Sequence, residues 1–280
     1  MSQHILISGA SSGIGKAAAE ALAGQGFTVF AGALNAQEAQ VLSAAGVPGV
    51  VPVVLDVTQQ ASIEAAMAHI AAVMGPQGRL HGLVNCAGVD INAPLHVLEQ
   101  QEIMQMINVN YVGGIMLTRA ALPLLQRGSG RIVFISSAMA LLRTPMISIY
   151  CSTKTGIEGF ADAMRLELLP VGIKVAIVEP GVIRTPLVSK AMGVLEKILP
   201  RMSAEDRQRY EPTMRKIAEM SANPKMGSST EVTTRAIQHS LTARQPQRRY
   251  RAGADCKAAT FISILPYAVQ DWVQRRIYGL

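Results

Sequence analysis

Tyr150 and Lys154 stand four residues apart in a stretch, 148–169, whose composition and spacing predict a helix, so both side chains leave one face of it. A tyrosine hydroxyl has an ordinary pKa of ~10 and is a weak base at neutral pH. A lysine ammonium beside it stabilises the phenolate and lowers that value. Such a pair can take a proton from an alcohol, or return one to a carbonyl. Ser137 lies 13 residues before Tyr150, where an apolar run over 131–136 ends. Its hydroxyl can hydrogen-bond the same reacting oxygen. Taken alone, each group has a plainer reading: the Tyr–Lys pair as two exposed side chains, and Ser137 as a turn cap. Ser136 is set aside, because alternation along a strand points it away from Ser137. Cys151 has no evident histidine partner for a nucleophilic role. The five histidines, His4, His69, His81, His96 and His239, show no metal-binding spacing.

A second chemistry is written near the start of the chain. Ser8-Gly9-Ala10-Ser11-Ser12-Gly13-Ile14-Gly15 joins a short apolar run to an alanine-rich helical stretch. Glycines at positions 9, 13 and 15 let the backbone turn sharply and approach a pyrophosphate. The helix that follows offers its free N–H groups and positive dipole end to that anion. The spacing is G-x-x-x-G-x-G rather than G-x-G-x-x-G, and the strand-turn-helix context the motif needs is present.

Positioning these groups requires a regular frame. Apolar strands over 4–8, 27–32, 50–55, 80–85, 131–136 and 173–178 alternate with helices over 13–24, 36–45, 59–74, 99–125 and 148–169. Strands with few polar residues on either face belong in a parallel sheet covered on both sides. The alternation gives right-handed crossovers and a doubly wound α/β sheet. Ligands of such sheets bind at the C-terminal strand ends, where Ser137 lies. Pro52 is placed near the start of its strand, and Gly113 and Gly114 weaken the long helix over 99–125. Past Pro180 the rhythm changes. Residues 186–226 are helix-prone but irregular, with Met192, Met202, Met214, Met220 and Met226. A helix near 231–241, a short strand over 249–252 and a tail follow. The whole chain, 1–280, reads as one domain with a covering insertion.

Composition narrows the classes further. The 280 residues are 49% apolar and 16% charged, which supplies a sizeable core and excludes collagen-like and charge-driven disordered chains. Cys86, Cys151 and Cys256 form no C-x-x-C pair, so a reducing compartment, the cytoplasm, is expected. No secretory signal and no membrane-spanning run are read. The net charge of +7 is uneven: residues 1–200 hold 12 basic and 12 acidic side chains, and residues 201–280 hold 14 and 7. Arg244, Arg248, Arg249 and Arg251 are the densest part of this basic C-terminal segment, 244–280. They read either as a solvated or paired face or as an attraction to an anionic surface. Nucleic-acid binding is not expected, because no aromatic-basic platform accompanies the charge.

Seven pieces in order carry a resemblance: the glycine turn; Asp56 in Leu55-Asp56-Val57; Asn85-Cys86-Ala87-Gly88; Asn110 in Asn108-Val109-Asn110; Ser137; Tyr150-x-x-x-Lys154; and Pro180-Gly181 with Thr185. In these the chain resembles the short-chain dehydrogenases/reductases, strongly over 4–190 and weakly beyond. The resemblance implies a Rossmann-type sheet of about seven strands with a helical substrate lid after strand six. It implies hydride transfer between a nicotinamide cofactor and an alcohol or ketone, with Tyr150 as general acid/base, Ser137 and Lys154 as its partners, and Asn110 holding a water in a proton relay. It also implies a cofactor site built from Gly9, Ser11, Ser12, Gly13, Ile14, Gly15, Ala33, Leu34, Asp56, Val57, Asn85, Ala87, Gly88, Tyr150, Lys154, Pro180, Gly181, Ile183 and Thr185. A cofactor-sensing protein on the same fold is the alternative, although such proteins often lack the reactive tyrosine or lysine.

The stretch Phe30-Ala31-Gly32-Ala33-Leu34 puts Ala33 where the family usually has a ribose-binding acid and Leu34 where it has an arginine. Ser12 is not basic either. The pattern looks like the branch of retinol, hydroxysteroid and 3-hydroxybutyrate dehydrogenases, and NAD is expected ahead of NADP. Ser8 replaces the usual threonine, and Cys86 the usual second asparagine. The methionine-bearing segment suits an apolar ligand, steroid-like, terpenoid or long-chain. The end of the chain either packs on the lid or a neighbouring subunit or makes peripheral membrane contact. The helices over 99–125 and 148–169 are expected to pair subunits into a homodimer or homotetramer.

Overall fold

The computed structural model of the chain describes residues 3–126, 128–185, 191–223 and 226–280. Strands β1 (His4–Ile7), β2 (Thr28–Ala33), β3 (Val50–Val54), β4 (Leu80–Asn85), β5 (Arg131–Ile135), β6 (Lys174–Pro180) and β7 (Arg249–Ala252) form one sheet in the order β3-β2-β1-β4-β5-β6-β7. Every pairing is parallel. Helices α1 (Gly13–Ala23), α2 (Ala36–Ala44), α3 (Gln60–Met74), α4 (Gln100–Ile107), α5 (Gly113–Ala121), α6 (Met139–Leu142) and α7 (Ser148–Glu167) lie between the first six strands. After β6 come α8 (Ala191–Ile198), α9 (Ala204–Ala222) and α10 (Thr230–Thr242). Then β7 leads to α11 (Ala254–Ser263) and α12 (Tyr267–Tyr278).

Apolar side chains alternate across the strands and divide the core into two layers. Leu6, Phe30, Leu83, Phe134 and Ile177 pack on Ile63, Ile70, Leu117 and Ile157 from α3, α5 and α7. Their neighbours Ile5, Ile7, Val29, Val84, Val133 and Val178 pack on Ala18, Leu22, Ile237 and Leu241 from α1 and α10. A sheet apolar on both faces is forced to this arrangement, and it explains why the central strands read as continuous apolar runs. Strand order reverses between β1 and β4, so the β1–α1 turn and the loop after β4 open side by side at one sheet edge.

Three local expectations are corrected. Pro52 sits in the middle of β3, not near its start, and is accommodated because β3 is an edge strand. The long helix over 99–125 is interrupted by a π turn at Asn108–Val112 between α4 and α5. Gly113 closes that turn; a Cβ there would lie 2.7 Å from Val57 Cγ2. The final residues are two helices, not a loose tail, with Pro266 at the N-cap of α12. Gln274 of α12 donates to the Leu142 carbonyl at 2.9 Å, and the Tyr278 and Thr144 hydroxyls are hydrogen-bonded.

The segment after β6 has its own apolar cluster. Leu195, Ile198, Leu199, Met202, Met214 and Ala218 pack on Ala93, with Ile91, Val97, Leu98 and Met146 around them. Met202 and Met214 are thus packing residues. Part of the segment expected as a lid, 186–190 and 224–225, lies outside the described residues. Among the described residues, no helix is long and apolar enough to cross a membrane.

Three of the four clustered arginines are paired within the chain. Arg249 bonds Glu158 and Glu179 at 2.5 Å each and Asp162 at 2.9 Å; Arg248 also meets Asp162, and Arg251 lies 3.6 Å from Glu179. The Glu179 side chain is 1% exposed, so removing Arg249 strands a carboxylate away from water. Arg249→Leu is expected to cost about 3 kcal/mol, read as a lower urea midpoint with an unchanged slope.

Candidate active site

The reacting groups and the phosphate cradle meet at the C-terminal edge of the sheet. The turn after β1 reaches Gly9 with φ +64°, a conformation that favours glycine. A Cβ on Gly9 would lie 2.7 Å from Ala87 Cα, and one on Gly15 would overlap the Gly9 carbonyl. Backbone therefore crosses backbone here, and only glycine permits it. Ser8 Oγ accepts from the Cys86 and Ala87 amides at 3.0 and 3.2 Å, tying the turn to the loop after β4. Ala10 N–H donates to the Gly32 carbonyl at 2.8 Å. Ser12 is the N-cap of α1 but makes no side-chain cap bond, and the first turn holds no acid. Its amides and dipole end thus stay open to an anion.

At the end of β2, Ala33 is buried and Leu34 is 54% exposed. The Leu34 amide donates to Glu38 Oε2 at 3.1 Å, and the Glu38 amide donates to Asn35 Oδ1 at 2.9 Å. A carboxylate therefore does stand beside this slot, supplied from α2 rather than from the strand end. Sequence reasoning looked one turn too early; the Asn35-x-x-Glu38 cap was the available signal. Asp56 Oδ1 accepts from the Thr58 amide at 2.9 Å and from its hydroxyl at 2.7 Å, which fixes the carboxylate, and Val57 is buried next to it.

Ser137, just past β5, stands close enough to the Tyr150 hydroxyl to act on its proton, and its Oγ accepts from the Met139 amide at 3.2 Å. Lys154 Nζ lies 5.5 Å from the centre of the Tyr150 ring and donates to the Ile135 carbonyl at 2.9 Å. Asn110 sits in the π turn, where its Oδ1 accepts from the Val89 amide and its Nδ2 donates to the Val89 carbonyl, both at 2.8 Å. That reciprocal pair clamps the loop after β4 beside Gly88. Asn85 Nδ2 donates to Thr118 Oγ1 at 3.0 Å. Asn85, Asn110 and Lys154 share with Ser8 and Ala87 the lining of one small cavity. Ser136 turns the other way, as alternation required, and donates to Glu158 at 2.6 Å.

The electrostatics overturn one expectation. Burial pushes the Tyr150 hydroxyl well above its ordinary value, the negative charge of Asp90 adds to this, and the neighbouring Ser137 hydroxyl opposes it. Lys154 does not reverse the shift; burial strips water from its own ammonium and lowers its pKa to about 8. Burial likewise pushes the Cys86 and Cys151 thiols up to about 11, so neither is a thiolate at neutral pH. Asp90, which sequence reasoning missed, is pushed up to about 6 by burial, against an Ile91 amide bond and the charge of Lys154.

The remaining predicted residues complete the edge. The Ala138 amide donates to the Pro180 carbonyl at 2.8 Å, and the Gly181 amide to the Ala252 carbonyl at 2.9 Å. Ile183 is buried and bridges Ser228, with Thr185 two residues on. Asp255, also missed, accepts from the Val182 amide. The four residues assigned to catalysis thus converge, and the cofactor residues run along the same edge from β2 to β6.

The chain is similar to known proteins. A family model described as short chain dehydrogenase matches residues 3–193. Retinol dehydrogenase 16 of Homo sapiens is 33% identical over 263 residues, covering 91% of this chain and 82% of its own. The 17-beta-hydroxysteroid dehydrogenase type 6 of Homo sapiens is 32% identical over 283 residues, covering 98% and 88%. A short-chain dehydrogenase structure from Streptomyces avermitilis superposes with a TM-score of 0.77 at 27% identity, covering 100% of this chain and 96% of that one.

The shift at Lys154 has a measurable sign. Its folded pKa of about 8 lies below the ordinary 10.5, so between these values the unfolded chain holds more protons and this group makes stability rise with pH. Carbon-13 NMR of lysine-labelled protein is expected to show one side-chain resonance titrating near 8, absent in Lys154→Met.

Proposed function

The chain belongs to the short-chain dehydrogenase family, and we propose that it moves hydride between a nicotinamide cofactor and the carbinol carbon of a hydrophobic secondary alcohol or ketone. One observation carries this reading: the neighbouring Tyr150 and Ser137 hydroxyls, backed by buried Lys154, stand at the same sheet edge as the glycine cradle.

The residues fit such a cofactor. The turn over 9–15 leaves room only for backbone, and the uncapped start of α1 suits a pyrophosphate. Ala33, Leu34, Asp56 and Val57 would hold the adenosine end. Asn85, Ala87, Gly88, Pro180, Gly181, Ile183 and Thr185 would flank the nicotinamide end, with Tyr150 and Lys154 reaching its ribose. When bound, the nicotinamide ring supplies the carbon that accepts or gives up hydride.

The side chains handle the proton. Ser137 and Tyr150 grip the substrate oxygen. In reduction, Tyr150 Oη gives its proton to the carbonyl oxygen while the carbonyl carbon gains hydride and the C=O bond becomes C–O–H; oxidation runs the same steps backwards, starting from the phenolate that this proton loss leaves. Tyr150 rests as a neutral phenol, the form that donates to a carbonyl. Lys154, with a pKa of about 8, stands close enough to neutrality to exchange protons with that phenol.

Glu38 supports NAD over NADP, because its carboxylate repels a 2′-phosphate and can accept from a ribose hydroxyl. The apolar cluster of α8 and α9 supports an apolar substrate, and these helices would cover it and exclude water. The relatives named for retinol and 17-beta-hydroxysteroid point to the same substrate class. Exposed Met104, Val112, Leu166 and Leu169 on or beside α4, α5 and α7 support subunit pairing through these helices. Exposed Phe261, Ile264, Tyr267 and Trp272 beside Lys257, Arg275 and Arg276 support peripheral contact with an anionic membrane. Three free thiols suit the cytoplasm.

Tyr150→Phe is expected to lower kcat by about a hundredfold or more while cofactor affinity stays within a few-fold; steady-state kinetics with fluorescence titration of reduced cofactor checks both. Side-by-side titration of the wild type should favour NAD, and Glu38→Arg should move the preference toward NADP. An unchanged ratio would remove Glu38 from the recognition.

A further inference from the structure

The loop after β4 carries two acceptor oxygens that none of the described residues satisfies. Asp90 Oδ1 and Asn92 Oδ1 are both closed to solvent and lack hydrogen-bond partners. A buried acceptor left unmet is unfavourable, and more so on a carboxylate, so two on one short loop call for a physical account.

Their location supplies one. Asp90 lies close enough to Tyr150, Lys154 and Cys151 to act on the charge of each. The Lys154 ammonium bonds the Ile135 carbonyl and makes no hydrogen bond to Asp90 Oδ1. Ile91, between the two residues, packs with Ala93 against the apolar cluster of α8 and α9. The Ala93 amide donates to the Met146 carbonyl at 2.9 Å and holds the loop against the turn that leads into α7. Asp90 thus neighbours the reacting groups, and Asn92 lies two residues on in a loop that packs against the apolar cover.

We propose that Asp90 and Asn92 form a polar subsite that accepts hydrogen bonds from a hydroxyl or amino group of the substrate, close to the reacting carbon. The favoured substrate is then an apolar alcohol or ketone with a second, donor-bearing substituent, not a plain hydrocarbon alcohol. This rests on the dehydrogenase reading above. A hydroxyl and an ammonium satisfy the same oxygens and differ in what they need: the hydroxyl needs an acceptor, the ammonium the carboxylate charge as well.

The test compares cyclooctanol with cyclooctanediol and aminocyclooctanol, using wild type, Asp90→Ala and Asp90→Asn. Wild type is expected to favour at least one substituted compound in kcat/KM by about tenfold, the equivalent of one net hydrogen bond. Asp90→Ala should bring that ratio close to one, mainly through KM. Asp90→Asn, which keeps the shape and an acceptor, should retain a hydroxyl preference and lose an amino preference, and so tells the two donors apart. Calorimetric titration of the three compounds into cofactor-loaded Tyr150→Phe should give the same ranking without turnover. Equal kcat/KM for all three compounds in wild type overturns the subsite and leaves the dehydrogenase reading standing. A ratio that survives both Asp90 variants, or a kcat loss common to all three compounds, overturns it as well, the latter because Asp90 would then act on Tyr150 alone. Cofactor binding without turnover of any alcohol or ketone would remove the dehydrogenase reading, and this inference with it.

Discussion

A lysine ammonium taken out of water at the edge of the sheet is the constraint from which the site's arrangement follows. Lys154 is buried, and such a charge persists only where fixed dipoles and opposite charges replace its hydration. The Ile135 carbonyl provides the direct bond, and the charges of Asp90 and Glu158 favour the ammonium. Glu158 is held in turn by Ser136 and Arg249, so a charge-assisted bond ties the last strand of the sheet to a carboxylate whose charge acts on Lys154. The basic C-terminal segment is therefore in part internal scaffolding. Its densest arginines answer acids on α7 and β6 and leave less of the positive excess to any external partner.

A second tie operates across the switch in strand order. Two loops from distant parts of the chain must keep a fixed spacing there, and one hydroxyl, Ser8 Oγ, bridges them through two backbone amides. The family's usual threonine is absent, yet the bond needs only the oxygen. The Asn110 clamp on Val89 does the same service a few residues further along. The glycine turn and the π turn are thereby tied to one loop by separate bonds.

The frame was legible because its signals are local. Apolar strands of the right length, glycines where backbone crosses backbone, and a Tyr–Lys pair at helical spacing each speak through neighbouring residues. What escaped depended on side chains that fold back or on charges meeting from afar. Glu38 reaches back to the strand end from the next helix, and no reading of the strand end alone would find it. Asp90 becomes notable only once its surroundings are dry. The phenol was expected to lose its proton readily beside an ammonium; instead, removal of water outweighs that attraction. Pairwise spacing conveys who is near whom, and the dielectric around them is a property of the assembled whole.

The π turn at Asn108–Val112 fits one residue more than an ordinary helix would hold in that length. A single helical residue accounts for about 100° of rotation and 1.5 Å of rise. Trimming one residue anywhere in that turn would restore a regular helix and swing Asn110 round the axis, away from Val89. Chain length at this spot is consequently locked by geometry, while side-chain identity on the outer surface is free to drift. Any lineage that lost the extra residue would have to rebuild the loop clamp from another direction.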